Sequence, residues 1–385
     1  MGDQKKKHRV VIAGYYGFGN LGDEALLHVV LRWLETFPDV EPCVLSGDRQ
    51  QTRRHFGVKT ANRIRLSSII YAMWGAKALI FGGGGLLQDT TSRRSLVYYL
   101  SLIRLANLMK VPVMMLGQGL GPLTQRGQQR VADALKQISY ISVRDEQSFR
   151  MLSQWGLPDA RQGVDLVLSV KPPKRTDEDA QAKPLLGLAL VSPPETQMDK
   201  VLFQIAEAIT KVQKQHDLIP IFLASSKQDL SFGIALNKRV PAMTVLPLSQ
   251  DTPEKHLQMF SGISVLWGSR LHSLIMASMM GVPFIGLGYD PKVKRFVDQL
   301  NTHLVQDMEH WPLNSFETRS LVDSTGMLLK GFHNFGDQLR QATKQMRKEA
   351  RASLNDAKRH LEGLLGLHED EKIHKVKPAD ARGDK

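Results

Sequence analysis

The sequence has a single cysteine and no long hydrophobic run, and each scarcity excludes a class of protein. Cys43 is the only cysteine among 385 residues, which excludes a disulfide-stapled scaffold and favours a reducing compartment. The longest apolar candidate, LIMASMMGVPFIGLG, is broken by Gly281 and Pro283, and it is too short for the about 18 residues that cross a bilayer. The basic N-terminus lacks the apolar segment of a signal peptide. We therefore expect a cytoplasmic protein.

Acidic residues are fewer than basic ones. The chain has 51 lysines and arginines against 38 aspartates and glutamates, which gives a formal net charge of +13. Such a surplus favours anionic partners, namely phosphorylated substrates, an anionic membrane surface or nucleic acid. A basic stripe interleaved with aromatic residues is lacking, so we expect no nucleic-acid partner. No group of histidine, cysteine and carboxylate residues has metal-ligand spacing, so we expect neither a metal nor a cofactor.

What the chain does contain is a repeated alternation of apolar runs and amphipathic segments. Runs such as RVVIAGY, KALIFGG, VPVMMLGQG, YISVR and VDLVLSV predict buried strands, and segments such as DEALLHVVLRWLETF predict helices between them. Uniformly apolar strands that alternate with helices are typical of parallel sheets covered on both faces. Because 385 residues suffice for two domains, we predict an α/β protein with two Rossmann-like, doubly wound domains facing a cleft.

Shifts in composition set the expected boundaries. The polar, proline- and lysine-rich residues 171–184 predict a linker between an N-terminal domain, residues 1–170, and a C-terminal domain, residues 185–335. Residues 336–366 predict a long basic helix, which is either a solvated face or a contact with an anionic bilayer. The charged residues 367–385 have few apolar side chains, and we expect them to be disordered.

The first glycine-rich turn is GYYGFGNLGDEAL, after the first predicted strand. Its G-x-G-x-x-G spacing matches a dinucleotide-binding fingerprint, but the strand ends near Gly14, three residues before the pattern begins. The match is therefore weak. Asn20 and Asp23 are the polar groups at this turn, and both are candidate substrate contacts, although Asp23 is alternatively the N-cap of the next helix.

Two more glycine-rich turns follow neighbouring strands. The four consecutive glycines of FGGGGLLQD exceed what a tight turn needs, which predicts close approach of a ligand or of another backbone. GQGLGP repeats the pattern one strand further on, and together the turns predict the rim of a cleft. The candidate substrate-binding residues on this rim are Gly83, Gly84, Gly85, Asp89 and Gln118.

Cationic residues stand at further strand ends. In ISVRDEQS we expect Asp145 to cap a helix, while Arg144 either faces the cleft or pairs with Asp165. Lys292 follows Pro291 at a predicted helix start and is a further substrate-binding candidate.

The stretch WGSRLHS lies between a predicted strand and a helix rich in small residues. We expect Ser269, a candidate substrate contact, to be the N-cap, with Arg270 and His272 in the first helical turn. Free amides and the helix dipole favour an anion at this position. Together with Arg144 and Lys292, these cations predict a site for a small molecule that carries two anionic groups.

Taken together, these motifs resemble the polysaccharide pyruvyltransferase family over roughly residues 9 to 300. In particular they are similar to the cell-surface anchoring pyruvyltransferases, which place a pyruvate ketal on N-acetylmannosamine of a secondary cell-wall polymer. The resemblance implies a GT-B-like fold, phosphoenolpyruvate as donor without a metal, and a lipid-linked oligosaccharide acceptor at the inner face of the cell membrane. It also implies that Arg144, Arg270 and His272 belong to the donor site.

The residue chemistry fits that implication. Arginine suits the phosphate and the carboxylate of phosphoenolpyruvate, and His272 is the side chain suited to protonate its methylene carbon. Two alternatives stay open. One is a GT-B nucleotide-sugar glycosyltransferase, for which Asp290 is the nearest carboxylate able to hold a ribose; the other is a non-enzymatic basic scaffold on membranes or nucleic acid.

Overall fold

The computed structural model describes residues 7–90, 93–157, 159–174, 183–248, 252–288, 290–302, 310–313 and 315–367. Most of the predicted linker and of the predicted disordered tail lies outside these ranges. Within them, no helix is both long enough and apolar enough to cross a membrane.

The first sheet contains eight parallel strands in the order β3-β2-β1-β4-β6-β7-β8, with β5 paired to β6. Its strands are β1 (His8–Ala13), β2 (Val40–Ser46), β3 (Lys59–Asn62), β4 (Ala78–Phe81), β5 (Gly84–Leu87), β6 (Val113–Leu120), β7 (Tyr140–Val143) and β8 (Arg161–Gln162). Its helices are α1 (Leu21–Leu34), α2 (Arg49–Phe56), α3 (Leu66–Met73), α4 (Arg93–Leu108), α5 (Gln125–Leu135) and α6 (Glu146–Gln154).

The second sheet is also parallel, in the order β11-β10-β9-β12-β13-β14. Its strands are β9 (Leu185–Ala189), β10 (Ile219–Ala224), β11 (Thr244–Pro247), β12 (Val265–Gly268), β13 (Phe284–Leu287) and β14 (His310–Trp311). The helices that accompany it are α7 (Met198–His216), α8 (Lys227–Asn237), α9 (Pro253–Ser261), α10 (Leu271–Met280), α11 (Pro291–Thr302), α12 (Thr318–Lys330) and α13 (Phe332–Leu365).

The predicted fold class is confirmed, because two parallel α/β sheets are present. Every residue of β4 (ALIF) and of β12 (VLWG) is buried, as expected for central strands covered by helices on both faces. In such sheets ligands bind at the carboxyl ends of the strands. The glycine-rich turns and the RLH turn lie at those ends.

The predicted strand VDLVLSV is wrong. Residues Leu166–Ser169 form a 3₁₀ turn instead. The Asp165 side chain accepts a hydrogen bond from the Val167 amide at 3.1 Å, and such a local bond competes with strand pairing. The turn leaves Asp165 outside the sheet, buried against Arg144 and His272.

Helix α13 crosses both domains and begins at Phe332, four residues before the predicted start. On the first domain, Trp33 Nε1 donates to the Leu354 carbonyl at 3.1 Å. On the second, a Cβ added at Gly281 would lie 2.8 Å from the Gly336 carbonyl oxygen, so the two backbones are in close contact. The predicted basic helix is therefore buried along one face.

Candidate active site

A cavity of about 600 Å³ lies between the carboxyl edges of the two sheets. The predicted site residues that line it are Asn20, Asp23, Gly84, Gly85, Arg144, Ser269, Arg270, His272 and Lys292. The structure therefore brings predicted site residues of both domains together in one cavity.

Three predicted substrate contacts are not among the lining residues: Gly83, Asp89 and Gln118. Asp89 accepts hydrogen bonds from the Thr124 amide at 2.8 Å and the Thr124 hydroxyl at 2.5 Å, which ties down the start of α5. Gln118 is fully buried and its Nε2 donates to the Phe81 carbonyl at 3.3 Å. The contacts of both side chains stabilise the loops behind the cavity.

His272 lies at the contact between the two domains. Its Nε2 is 3.5 Å from Asp165 Oδ2. A Cβ added at Gly22 would lie 1.8 Å from His272 Nδ1, so only glycine at this position allows the imidazole to pack on α1. The third glycine of the fingerprint-like pattern therefore serves a domain contact, not a dinucleotide.

Asp165 joins His272 to Arg144. Arg144 Nη1 donates to Asp165 Oδ2 at 3.0 Å, and both side chains are almost fully buried. Burial alone would raise the pKa of Asp165, but His272 and the Arg144 guanidinium hold it well below the usual range. The Asp165 carboxylate is therefore ionised, and it orients the side chains of Arg144 and His272. The sequence left open whether Arg144 pairs with Asp165, and in the structure it does.

The glycine-rich turns make room for Arg144. A Cβ added at Gly119 would lie 2.8 Å from Arg144 Nε, and one added at Gly85 would lie 3.8 Å from Nη2. On the opposite side, a Cβ at Gly84 (φ +89°) would lie 3.3 Å from Asp23 Oδ1. The sequence predicted that a ligand or another backbone lies close to these glycines. In the structure, side chains of the protein itself, Arg144 and Asp23, lie there.

The N-cap of α10 is Arg270, not Ser269 as predicted. Arg270 has extended dihedrals and makes no side-chain capping bond, whereas Ser269 Oγ accepts from the Val191 amide at 2.6 Å. Arg270 holds Asp229 in a bidentate pair, with Nε–Oδ2 at 2.9 Å and Nη2–Oδ1 at 2.6 Å. The anion that pairs with Arg270 is therefore Asp229 of the protein itself.

The start of α10 is open towards the cavity. The first amides of a helix have no intrahelical acceptor, and α10 has neither a side-chain cap nor an acidic residue in its first turn. The buried hydroxyls of Ser273 and Ser225 line the same wall, and neither has a hydrogen-bond partner within the described part of the chain. Donors and a positive helix end therefore converge there, as in anion sites.

Asp23 is on the facing wall. Asn20 caps α1 by accepting from the Gly22 amide at 3.1 Å, so Asp23 is not the cap and its carboxylate faces the cavity. Burial raises the pKa of Asp23 above its usual value, although His272, Lys292 and other cations partly oppose that shift.

Glu24 was missed by sequence reasoning. The Gly17 amide donates to Glu24 Oε1 at 2.8 Å, and Gly17 and Gly19 both have positive φ. Burial raises the pKa of Glu24 to about 7. The glycine loop therefore encloses a carboxylate of its own helix, which leaves it unavailable as a phosphate loop. The sequence signal that could have pointed to Glu24 was the acidic pair Asp23 and Glu24 in GDEAL.

Two cations of α11 also reach the cavity. Lys292 Nζ pairs with Asp290 Oδ2 at 2.7 Å. Arg295, which sequence reasoning missed, donates from Nη1 to Gln147 Oε1 of the first domain at 2.7 Å. Its position one helical turn after Lys292 was the available signal.

The mouth of the cavity carries an aromatic pair. The rings of Tyr15 and Phe18 stack with centroids 4.3 Å apart, and both are partly exposed. The buried Arg63 guanidinium lies 5.7 Å from the Tyr15 ring centroid and 5.1 Å from that of Phe18. Tyr15 lines the cavity. None of these three residues was a predicted site residue.

Residues 20–291 match the model of a family described as polysaccharide pyruvyl transferase. No curated protein matches the chain in sequence.

Several solved structures share the fold. The S. aureus MnaA–UDP co-structure is 13% identical with a TM-score of 0.63, over 98% of this chain and 100% of that one. UDP-GlcNAc 2-epimerase from Neisseria meningitidis, bound to UDP-GlcNAc, is 12% identical with a TM-score of 0.60, over 91% and 100%. MurG from Acinetobacter baumannii is 13% identical with a TM-score of 0.55, over 91% and 98%. The architecture is therefore GT-B.

Proposed function

Because the chain belongs to the polysaccharide pyruvyl transferase family, we propose that it transfers the pyruvate moiety of phosphoenolpyruvate to a sugar as a 4,6-ketal. The proposed acceptor is β-linked N-acetylmannosamine of a lipid-linked cell-wall polysaccharide precursor. The observation that supports the donor assignment is the uncapped start of α10, which carries His272 and shares one cavity with Arg144, while Asp165 contacts both side chains.

The donor phosphate is assigned to the start of α10. The free amides there, the Ser273 hydroxyl and Lys292 offer hydrogen bonds and positive charge. Arg144 is assigned to the donor carboxylate. Its Nη1 is held by Asp165, while Nε and Nη2 lie beside Gly119 and the cavity-lining Gly85. Arg270 is assigned to support the phosphate through Nη1, because Asp229 already holds Nε and Nη2.

His272 is assigned as the general acid. It protonates the methylene carbon of phosphoenolpyruvate, which leaves a cationic centre at the adjoining carbon, and a sugar hydroxyl attacks that centre. Loss of phosphate and attack by the second hydroxyl close the ketal. Of the two hydroxyl protons, one restores the acid and the other leaves with phosphate, so protons and charge balance.

The acceptor sugar is assigned to the wall of the first domain. The Tyr15–Phe18 pair offers a flat apolar surface at the cavity mouth, and such aromatic faces pack well against the apolar side of a sugar ring. Asp23 stands deeper on the same wall. A carboxylate whose pKa is raised by burial suits the removal of a hydroxyl proton.

A nucleotide-sugar glycosyltransferase remains the second candidate. Asp290 lines the cavity in the second domain, where a ribose-binding carboxylate belongs. Its pairing with Lys292 at 2.7 Å disfavours that role, since the carboxylate is already neutralised.

Donor consumption separates the two candidates. Phosphate release from phosphoenolpyruvate is measured with a panel of lipid-linked and soluble glycoside acceptors, beside UDP release from UDP-sugars with the same acceptors. We expect acceptor-dependent phosphate release and no UDP release. UDP release without any consumption of phosphoenolpyruvate would replace the pyruvyl transfer by glycosyl transfer.

A further inference from the structure

The first domain carries a strongly one-sided charge. Between Val58 and Ala132 the sequence has one acidic residue, Asp89, which is buried and bonded to Thr124. The same span has ten basic residues: Lys59, Arg63, Arg65, Lys77, Arg93, Arg94, Arg104, Lys110, Arg126 and Arg130. This span therefore supplies +9 of the chain's formal net charge of +13.

Large apolar side chains project from the same region. Around α3, Ile64 is 80% exposed, Leu66 61%, Tyr71 75% and Trp74 74%. The opposite side of α3 is packed in the core through Ile69, Ala72 and Met73. One side of α3 therefore packs in the core, while large apolar side chains on and beside its other side face solvent.

Cations surround these apolar side chains. Arg65 and Lys77 flank α3 and are exposed. Arg9 lies 5.6 Å from the Tyr71 ring centroid. Within the described ranges, neither Arg65 nor Lys77 has a carboxylate within ion-pair distance. We call Ile64, Arg65, Leu66, Tyr71, Trp74 and Lys77 the α3 surface.

The α3 surface continues towards α4 and the cavity mouth. Arg63, next to Ile64 in the chain, lies 4.6 Å from the Tyr98 ring centroid, so the start of α3 adjoins the second turn of α4. The preceding turn of α4 presents the exposed Arg93 and Arg94. Arg63 also contacts Tyr15, which lines the cavity.

We propose that the α3 surface docks the protein on an anionic lipid bilayer. Tryptophan and tyrosine favour the headgroup region, where an apolar ring and a polar edge are both satisfied, and lysine and arginine are attracted by anionic headgroups. A second copy of this chain fits less well, because two such surfaces would bring like charges together. Nucleic acid would use the cations but would leave Leu66 and Ile64 without a role.

This inference rests on the proposed function in one respect: a lipid-linked acceptor is held at a bilayer. Docking through α3 puts the Tyr15–Phe18 pair near the headgroups, so the sugar enters the cavity while its lipid stays in the membrane. A bilayer contact is one of two alternatives for the basic C-terminal helix, and the proposal assigns that contact to the first domain instead. In α13, Arg347 and Arg351 donate to the Val170 and Ser169 carbonyls at 3.1 and 3.2 Å.

The test measures co-sedimentation of the full chain with phosphatidylcholine vesicles, with and without phosphatidylglycerol. We expect binding that requires phosphatidylglycerol and that falls roughly tenfold or more in the Leu66→Ser, Trp74→Ser double variant. The matched control is Phe203→Ser with Ile234→Ser, which removes two exposed apolar side chains of the second domain and leaves binding unchanged.

A second pair of variants tests the cations. Arg93→Gln with Arg94→Gln weakens binding to phosphatidylglycerol vesicles roughly tenfold, whereas Lys200→Gln with Lys238→Gln in the second domain does not. A blue shift of tryptophan emission on these vesicles, lost in Trp74→Phe, supports insertion of that ring.

The outcomes separate the docking surface from the proposed function. Phosphate release from phosphoenolpyruvate with a soluble glycoside acceptor stays at the wild-type level in the Leu66→Ser, Trp74→Ser variant. If the wild type binds vesicles but consumes no phosphoenolpyruvate, the proposed function fails and the docking surface stands. Equal binding by the double variant, no binding by the wild type, or a dimer that the double variant dissociates would each overturn the docking surface.

Discussion

Two helix starts meet at the cavity, those of α1 and α10, and they differ in how their first backbone amides are capped. The start of α1 follows a glycine-rich loop, but it is capped by Asn20 and carries Asp23 and Glu24 in its first turn. The start of α10 follows an ordinary turn, has no side-chain cap and no acidic residue, and is flanked by Arg270. The protein's own side chains satisfy the first helix start, whereas the second has no side-chain cap. Glycine content alone therefore does not show which helix start lacks a cap.

The largest expected effect comes from removing the titratable group of the open helix. We expect His272→Gln to lose roughly 10²- to 10⁴-fold in kcat, as when an acid–base group is removed, while phosphoenolpyruvate binds almost normally. Turnover at saturating donor and calorimetric donor affinity are the measurements. His333→Gln, an exposed histidine of α13, is the control. Weak donor binding with full turnover would make His272 a binding residue.

The next effect concerns the arginines beside that helix. Arg144→Ala and Arg270→Ala are each expected to lower kcat/KM by roughly 10²-fold or more, the scale of losing one preorganised charge-stabilising donor. Each also leaves a buried carboxylate without its partner, so Arg→Lys variants at both positions separate folding from catalysis. Arg150→Ala, at an exposed pair with Glu146, is the control. Near-normal kcat/KM in both alanine variants would remove the donor site from this cavity.

A smaller effect is expected at the contact between the two helix starts. Gly22→Ala places a methyl group against the His272 ring, so the imidazole must move, and we expect kcat to fall roughly tenfold or more. Gly363→Ala, where nothing lies within 4 Å of the added Cβ, should keep full activity. Unchanged kcat in Gly22→Ala would show that the position of His272 is not critical.

The capped start of α1 is tested through the buried carboxyl group of Glu24. Because the pKa of Glu24 is raised to about 7 in the folded protein, the protonated form is favoured by folding. Its contribution is complete below about pH 4.5 and is lost as the pH rises through 7. We expect Glu24→Gln to remove about 2–3 kcal/mol of this pH dependence between pH 5 and 8. Urea unfolding of both proteins across that range measures it, and parallel curves would contradict the assignment.

The smallest effect is expected from metal removal. Within the described ranges, no group of three or more histidine, cysteine or carboxylate residues is placed to hold a metal ion. We expect EDTA to leave the phosphate-release rate unchanged. Restoration of a lost rate by Mg²⁺ or Mn²⁺ would favour the nucleotide-sugar alternative instead.

The sequence predicted the fold class, and most of the site residues that it predicted line the cavity, because both follow from local rules. Apolar strands alternating with helices predict parallel sheets, and their carboxyl ends place Arg144, Arg270 and Lys292 together. The errors have a common cause, which is a side chain that bonds to the backbone or to a distant partner. Asp165 converts a predicted strand into a 3₁₀ turn, and Val191 takes the Ser269 hydroxyl away from its expected cap. The pairing of Arg270 with Asp229 spans 41 residues, and no local pattern predicts it.

Helix α13 also limits how the two domains can move. At 34 residues it is about 50 Å long, and it is fastened to Trp33 of one domain and packed on Gly281 of the other. Because this helix contacts both domains, wide opening of the cleft would require one of the two contacts to break. We therefore expect only small rotations of the two domains at this cavity. A C-terminal helix that contributes no residue to the cavity lining would then limit how far the cavity opens.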